Sequence, residues 1–440
     1  MQSKPKILII SSADPTIGPG VLSADFYAAY KQQGYDVDLL TLYSCPSHPE
    51  FLYVKKTFQG VRGIFDRYTN NFIPRLISKL RGILGLTQYP IGNHYFFYRK
   101  EEKPPVSTYK VTRCIKKQYD IVQILFWQNM LSFATLRAIN DKLKCFFYLS
   151  CVDYSPMAGG CHFIGDCERY MVGCGCCPAF RSNDPYDFTM QNVEYRKQVY
   201  KEINYVVSGN SYMFDFYENS VLLKNAIKQI SFPIINLDLF KPVNKVGVRK
   251  KYEIRDDKKF IMLFGCQNIT DKRKGIEYMI DSINLFMSLL SSEERIQVLA
   301  VVIGGDFDKL KMRLTSDSLG LGYIPMDKLP EIYSLADVFL CSSVNDAGPM
   351  MVNQALCCGT PVVGFEMGAC IDVVKGQGTG YCARLKDCKD FANGIYDIYR
   401  MSPTEKQQMS DLCLKHAQDT YSYVAAVNRV IGAYDKYKKS

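Results

Sequence analysis

The sequence predicts an α/β protein built from two doubly wound units, in which parallel strands alternate with helices. Short apolar runs at residues 6–10, 37–42 and 121–127 are bounded by polar or turn residues, a pattern typical of strands buried on both faces. The same rhythm restarts at residues 259–264 after a break at 237–242. Two such units place a ligand cleft beyond the carboxyl ends of their strands.

The other predicted elements follow the same alternation. Further strands are expected at 145–151, 205–208, 298–303, 338–341 and 361–364, and helices at 21–33, 274–290, 349–358 and 421–438. We therefore expect a first domain over residues 1–240, a second over 241–420, and a C-terminal helix within 421–440 that returns to the first domain. Residues 55–110 are the least regular stretch, and we assign an insertion there.

Composition narrows the classes of partner. Lys and Arg number 54 against 44 Asp and Glu, a net charge of +10, which favours an anionic partner, although solubility explains it equally. The longest basic run is only three residues, 272–274, so a nucleic-acid surface is the weaker inference. No apolar run approaches the length of a spanning helix, and we expect a cytoplasmic protein. The odd count of 17 cysteines argues for thiols or metal ligands rather than a disulfide scaffold.

The segment 342–364 carries the strongest indication of a binding site. Pro349 suits the first turn of a helix and Gly359 suits its C-terminal end. The start of such a helix presents free N–H groups and a partial positive charge, which a diphosphate favours. Asp346 and Gln354 can face the same ligand, a carboxylate for sugar hydroxyls and an amide for nucleoside hydroxyls. An ordinary crossover helix is the alternative.

A second candidate segment, 268–275, lies between a predicted strand and a predicted helix. Cations there can neutralise a diphosphate leaving group as its charge develops. Arg273 and Lys274 stand beside the helix start, where cations are normally unfavourable, which favours a functional role. Lys272 fits a solvated surface equally well.

At these positions the sequence resembles the family 4 glycosyltransferases, and the resemblance spans the whole chain. The family's two acidic residues separated by seven positions, followed by Ala-x-x-x-Gly-x-Pro-Val, fall on residues 346–362. Its Lys-Gly falls on 274–275, its glycine-rich turn on 304–305, and residues 329–339 also follow the family. The resemblance implies a GT-B fold, two Rossmann-like domains facing a cleft, and transfer of a hexosyl or related sugar from a nucleotide-diphosphate donor with retention.

The first domain extends the resemblance. Residues 18–20 resemble the family's glycine-rich loop, and residues 153–161 resemble a cysteine-rich subgroup that assembles surface polysaccharides such as O-antigen, capsule or exopolysaccharide. The resemblance implies a catalytic set of Asp346, Arg273, Lys274 and Asp153. It implies a donor-binding set of Gly18, Gly20, Gly304, Gly348, Pro349, Met350, Met351 and Gln354. The chain departs from the family at Gln354, at Val152 where the subgroup has His, and at Cys266 where Arg is common, so that Arg273 takes its place.

Cysteines cluster within the first domain. Cys161, Cys167, Cys174 and Cys177 could form a tetrahedral four-thiolate zinc site of structural type. Free or redox-paired thiols are the equal alternative. No cofactor is expected for transfer itself.

Residues 73–86 place their apolar side chains on one helical stripe with basic residues elsewhere, which is typical of a basic amphipathic helix. The stripe suits packing on its own domain and contact with a membrane surface equally. In the second case the protein is peripheral on the inner face of the cell membrane, and its acceptor is a glycan on an anionic polyprenyl-diphosphate carrier. His94 and Trp127 are predicted to be packing residues.

Three other functions stay open from the residues alone. A nucleotide-sugar epimerase needs acid and base side chains that four His residues supply poorly. A non-catalytic nucleotide-sugar-binding protein fits the departures from the family. A zinc-dependent nucleic-acid binder would need basic or aromatic residues around the cysteine cluster, and we expect no nucleic-acid partner.

Overall fold

The computed structural model describes residues 4–55, 100–266, 268 and 270–439, and it contains two compact units. The first unit consists of Met1–Ser208, Asp215–Gln229 and Val430–Ser440. The second consists of Gly209–Phe214 and Ile230–Arg429. Each unit is built on one β-sheet.

The sheet of the first unit has the strand order β3-β2-β1-β4-β5-β6-β7, and the pairings from β3 to β6 are parallel. Its strands are β1 (Ile7–Ser11), β2 (Val37–Tyr43), β3 (Leu52–Lys55), β4 (Ile121–Phe126), β5 (Phe146–Ser150), β6 (Asn204–Gly209) and β7 (Lys228–Ile230). The accompanying helices are α1 (Val21–Gln32), α2 (Thr108–Cys114), α3 (Phe133–Leu143) and α4 (Phe188–Glu202). Helix α5 (Ser211–Asn219) begins in the second unit and ends in the first. Short 3-10 turns occupy Gly18–Gly20, Ser155–Met157, Arg169–Met171 and Pro178–Phe180.

The sheet of the second unit has the order β10-β9-β8-β11-β12-β13 with parallel pairings throughout. Its strands are β8 (Phe260–Cys266), β9 (Val298–Gly304), β10 (Asp317–Gly322), β11 (Val338–Cys341), β12 (Val362–Phe365) and β13 (Gly380–Ala383). Its helices are α6 (Lys245–Lys251), α7 (Ile276–Ser288), α8 (Ser292–Ile296), α9 (Phe307–Lys311), α10 (Leu329–Leu335), α11 (Met350–Cys357), α12 (Ala369–Val373), α13 (Cys388–Arg400) and α14 (Pro403–Tyr421). The last helix, α15 (Tyr423–Lys439), begins in the second unit and ends in the first. Lys272–Lys274 and Met326–Lys328 form 3-10 turns.

Burial on both faces explains why the strands read as unbroken apolar runs. Along β8, Ile261 and Leu263 belong to one core cluster, whereas Phe260, Met262 and Phe264 belong to another. Successive side chains of a strand point to opposite faces, so both faces of this sheet are covered by helices. The predicted doubly wound α/β class is therefore confirmed.

The strand order places a ligand edge in each unit. Numbered within its own sheet, each order begins 3-2-1-4, so the chain reverses direction between β1 and β4 in the first unit and between β8 and β11 in the second. Doubly wound sheets bind ligands at this reversal, beyond the carboxyl ends of the strands. The loops that follow these four strands are where a site is expected.

Several predictions concern the periphery of the fold. Near the end of α15, the ring of Tyr437 stacks on Phe146 of β5 with ring centroids 4.9 Å apart. Both residues belong to the first unit. Trp127 is a buried packing residue that stacks on Phe133. The predicted amphipathic helix at 73–86 and His94 lie outside the described residues. Among the helices that the structure describes, none combines the length and apolarity needed to cross a membrane.

Candidate active site

The loops that follow β8 and β11 are joined directly at the predicted ligand edge of the second unit. Ser342 Oγ donates to the Lys274 carbonyl at 2.8 Å, and the Val344 amide donates to the Arg273 carbonyl at 2.8 Å. Gly275 makes this approach possible: its φ is +63°, and a Cβ there would lie 2.0 Å from the Ser342 carbonyl oxygen. The Lys-Gly sequence thus lets two chain segments that are distant in sequence touch.

This junction brings two of the predicted catalytic residues together. The Lys274 ammonium contacts Asp346 Oδ2, and the Gly348 amide donates to Asp346 Oδ1 at 3.1 Å. The side chain of Lys274 is 41% exposed and that of Asp346 is 15% exposed. Both charges of the pair also act on Cys341 at the end of β11. A hydrogen bond with Cys370 lowers the pKa of Cys341, the positive charge of Lys274 lowers it further, and the negative charge of Asp346 raises it. The ion pair therefore lies at the surface with its lysine open to solvent.

Helix α11 begins beside this ion pair. Pro349 is its N-cap residue, and no side chain caps the helix start. Val352 donates to the Pro349 carbonyl, and the amides of Met350 and Met351 precede it in the first turn. The carboxyl end of β8 packs against the first turn of α11, where a Cβ on Gly265 would lie 2.8 Å from the Met351 side chain. An uncapped helix start beside a lysine concentrates positive potential as a diphosphate requires.

Two other predicted residues have different surroundings. Arg273 forms an ion pair with Asp271 at 2.7 Å, and its side chain is only 18% exposed. Gln354 is buried, and its Oε1 accepts a hydrogen bond from the Tyr333 hydroxyl at 3.0 Å. In this arrangement Gln354 holds α11 against α10, and its role toward a donor stays a prediction. Gly304, the last residue of β9, has a φ of +107°.

Sequence reasoning missed the residues that brace the loop after β11. Asn210 caps α5 by accepting from the Met213 amide, and its Nδ2 donates to the Ala347 carbonyl. The next residue, Ser211, donates through its amide to Asp372 Oδ2 at 2.8 Å. The Asn-Ser pair after a strand could have indicated a helix cap, but nothing local in the sequence identifies Ala347 or Asp372 as a partner.

At the ligand edge of the first unit, Asp153 follows β5 and is fully buried. Its carboxylate accepts hydrogen bonds from Gln128 Nε2 at 2.8 Å, from the Ser155 amide at 2.7 Å and from His162 Nδ1 at 2.8 Å. The side chain of Asp153 is 0% exposed, whereas that of His162 is 25% exposed. Asp153 is thus an internal acceptor for groups that follow β4 and β5.

The predicted glycine-rich loop forms a single 3-10 turn that leads directly into α1. The Gly20 amide donates to the Ile17 carbonyl at 3.2 Å, so this amide already has a partner in the loop. A Cβ on Gly20 would lie 1.9 Å from the Asp14 carbonyl oxygen, whereas Gly18 is exposed with a φ of +54°. The turn therefore needs glycine at position 20 for close backbone packing.

The clustered cysteines lie near one another in the first unit. Burial raises the pKa of Cys161, and the neighbouring thiols Cys174, Cys177 and Cys167 raise it further. Cys174 Sγ accepts a hydrogen bond from the Gly159 amide at 3.3 Å. Within the part of the chain that the structure describes, no three or more His, Cys, Asp or Glu side chains are arranged to hold a metal ion, and no cysteine is in a disulfide. The structural zinc site stays a prediction.

The two parallel Rossmann-like sheets, together with solved glycosyltransferase structures of similar fold, support an α/β GT-B fold. Residues 248–411, all within the second unit, match the family model described as glycosyl transferases group 1. Residues 248–411 are therefore similar to this family, and the matched stretch contains the Lys274–Asp346 pair and α11. The finer assignment to family 4 and its cysteine-rich subgroup stays a resemblance.

Known glycosyltransferases are similar to this chain in sequence or in fold. An uncharacterized glycosyltransferase of Methanocaldococcus jannaschii is 27% identical over 158 residues, 34% of this chain and 38% of that protein. Matches span less than half the length of the first curated relatives, 38% and 47%. Anabaena HepE in complex with UDP and glucose has a TM-score of 0.59 at 12% identity, covering 98% of this chain and 100% of that one. WaaG, a glycosyltransferase involved in lipopolysaccharide biosynthesis, has a TM-score of 0.57 at 13% identity, covering 99% and 100%.

Proposed function

We propose that this protein is a glycosyltransferase that moves a hexosyl or related sugar from a nucleotide-diphosphate donor to a glycan or polyprenyl-diphosphate-linked acceptor, with retention. The observation that carries the proposal is the Lys274–Asp346 ion pair beside the uncapped start of α11. It lies at the chain reversal between β8 and β11, where doubly wound sheets bind ligands.

The chemistry of transfer suits these groups. The bond between the sugar C1 and the phosphate oxygen breaks, a bond from C1 to the acceptor oxygen forms, and negative charge collects on the departing diphosphate. Lys274 and the amides of Met350 and Met351 stabilise that charge, while Asp346 accepts hydrogen bonds from sugar hydroxyls. In a front-face reaction with retention the departing phosphate oxygen takes the acceptor proton, so no separate side-chain base is needed.

The setting of the reaction is also a proposal. The group 1 match supports sugar transfer, and the likeness to HepE with UDP and glucose supports a uridine nucleotide donor. The likeness to WaaG and to a protein in a cps region of Klebsiella pneumoniae supports surface polysaccharide assembly. We place the protein on the inner face of the cell membrane, with residues 73–86 as the contact, which cosedimentation with anionic vesicles tests.

A donor panel tests the proposal. UDP-glucose, UDP-galactose, UDP-N-acetylglucosamine and GDP-mannose are compared with UDP and GDP by thermal shift, because a ligand at 100 times its Kd stabilises by about 2.7 kcal/mol. We expect one nucleotide sugar to raise the Tm of the natural chain but not that of Asp346→Ala. The matched control is Asp327→Ala, which removes an exposed carboxylate paired with Lys328 in the same unit and should keep the shift.

Product analysis separates the remaining alternatives. Nucleotide release that depends on a glycan acceptor, with the anomeric coupling of the donor sugar kept in the product, supports a retaining transferase. A changed sugar still attached to its nucleotide indicates an epimerase. Binding without release for every acceptor indicates a non-catalytic protein. Absence of binding to every nucleotide in the panel overturns the proposal.

A further inference from the structure

The loop after β5 is anchored by an unusual set of buried donors. Each of the five consecutive carbonyls of residues 155–159 accepts a hydrogen bond from a side chain. Arg196 donates to the first and fourth, Tyr200 to the second at 3.0 Å, Ser220 to the third at 2.8 Å and Asn192 to the fifth at 3.0 Å. These donors are all buried. A loop anchored at every carbonyl is held in one conformation before any ligand arrives.

Arg196 is itself fixed by a buried ion pair. Its Nε lies 2.7 Å from Glu101 Oε1, and the two side chains are 2% and 0% exposed. Glu101 also accepts from the Phe133 amide at 2.8 Å, and the guanidinium lies over the Phe133 ring. The desolvation cost of a buried ion pair is large, and the best-supported role of such a pair is to specify one arrangement of the surrounding chain.

His162 follows the anchored loop, and its side chain is partly exposed to solvent. The Tyr154 amide donates to the His162 carbonyl at 3.2 Å, which closes the loop at its ends. His162 lies on Asp153 through Nδ1 and is 25% exposed, and the ring of Phe163 packs edge-on against it at 4.4 Å. Because Asp153 is fully buried, a ligand at this edge meets His162 and not the carboxylate.

We propose that His162 is a sugar-binding residue of the first unit and that Asp153 is its positioning residue. The proposal rests on the proposed function, because the ligand is the glycan acceptor. The hydrogen bond from Nδ1 to the buried carboxylate fixes the ring orientation. The exposed part of the ring hydrogen-bonds a glycan hydroxyl, and the adjoining Phe163 ring offers an apolar face to the sugar.

The first test is the tautomer of His162, read by 15N–1H correlation of the imidazoles. With four histidines in the chain, a His162→Gln spectrum assigns the signal. We expect the Nδ1–H form in the natural chain. In Asp153→Asn the amide oxygen keeps the hydrogen bond from the Ser155 amide, and the NH2 faces His162 and Gln128, whose own amide can turn its oxygen toward it. The His162 proton should then move to Nε2. An unchanged tautomer would overturn the positioning role.

The second test is binding of simple glycans. The α-methyl glycosides of glucose, galactose, mannose and N-acetylglucosamine are titrated while the His162 resonances are followed. This titration needs no donor and no turnover, so it stays informative if the glycosyltransferase proposal fails. A saturable shift of His162 supports the proposal. No shift with any of the four glycosides overturns it.

The third test is kinetic, on the donor and acceptor pair that the donor panel identifies. His162→Leu should raise the acceptor KM about tenfold or more, as for one lost hydrogen bond, with kcat changed only a few-fold. His162→Gln should restore most of the affinity. The matched control is His48→Leu, because His48 also lies on a carboxylate, Glu50 at 3.2 Å, but in an exposed pair. Equal KM values for the natural chain and His162→Leu would refute the proposal.

Discussion

Replacing Lys274 with methionine should separate stability from ligand binding in the second unit. The Lys274 side chain is 41% exposed, and ion pairs of this exposure contribute about 0–1 kcal/mol to folding. Methionine keeps most of the aliphatic stem, and Asp346 keeps its hydrogen bond from the Gly348 amide. We therefore expect the free energy of unfolding of Lys274→Met to stay within about 1 kcal/mol of the natural value.

Binding of a nucleotide sugar should fall by far more. A lysine contact to phosphate is a charge-assisted hydrogen bond, worth about 1.5–3 kcal/mol. At about 1.4 kcal/mol for each factor of ten, the Kd should rise about 10- to 140-fold. The loss should be smaller for an uncharged nucleoside, which lacks the phosphates that Lys274 would contact.

Two measurements decide this prediction. Calorimetry gives the Kd for the nucleotide sugar found in the donor panel, and urea denaturation gives stability. The matched control is Lys251→Met, because Lys251 forms a comparable ion pair with Glu331 in the same unit, and this change should alter neither quantity. An unchanged Kd for Lys274→Met would refute the reasoning. So would destabilisation above about 2 kcal/mol, because weaker binding would then reflect a disturbed fold.

Four further predictions follow from the geometry. Gly275→Ala should cost about 2–5 kcal/mol in urea denaturation, because a left-handed φ and overlap with the Ser342 carbonyl both act against it. Arg196→Met should lower stability by about 3–5 kcal/mol by leaving a carboxylate unpaired in the core. Burial alone would raise the pKa of Asp390, but hydrogen bonds from a backbone amide and a tyrosine hydroxyl lower it below 3.8. The contribution of Asp390 to the free energy of unfolding is therefore present above that pH and is lost as the pH falls. In Asp390→Asn the free energy of unfolding should depend less on pH in this acid range. We expect metal analysis to find about one zinc ion per chain. Burial raises the pKa of the Cys174 thiol to about 11, so zinc binding should release protons, because a thiol that binds the metal must lose its proton.

Each of these has a control or an outcome that contradicts it. Gly322 has a φ of +65°, but a Cβ there would meet open space. If Gly322→Ala lowers stability as much as Gly275→Ala does, overlap with the Ser342 carbonyl is not the cause. Arg137→Met breaks a more exposed ion pair and should cost far less than Arg196→Met. Identical acid titrations for Asp390→Asn and the natural chain would contradict the third prediction, and metal-free protein after growth with zinc would contradict the fourth.

The alternation of strands and helices could be read from the chain because it depends on neighbouring residues. The predicted strand at 298–303 ends one residue before the observed Val298–Gly304, and the predicted helix at 349–358 contains the observed Met350–Cys357. Apolar runs, Pro349 at a helix start and Gly359 after its end act within a few residues of where they stand. Signals of this kind survive folding, because each element buries the face that its own sequence made apolar.

The site was only partly accessible from the sequence. Lys274 and Asp346 were each identified from their surroundings, but their ion pair joins positions far apart in the chain. Gln354 was expected to face a ligand, a role that stays a prediction, and its hydrogen bond with Tyr333 appeared only in the fold. The contact of His162 with Asp153 likewise appeared only in the fold.

By itself, the sequence determined the two parallel α/β sheets, the positions of nine of the thirteen described strands, and the loops where a phosphate is expected, whereas β3, β7, β10 and β13 were not predicted. Tertiary structure alone decided which polar groups in those loops meet one another and which are buried. The physical reason is that backbone periodicity is a local property, whereas hydrogen bonds and ion pairs between loops depend on where the strand order places their ends.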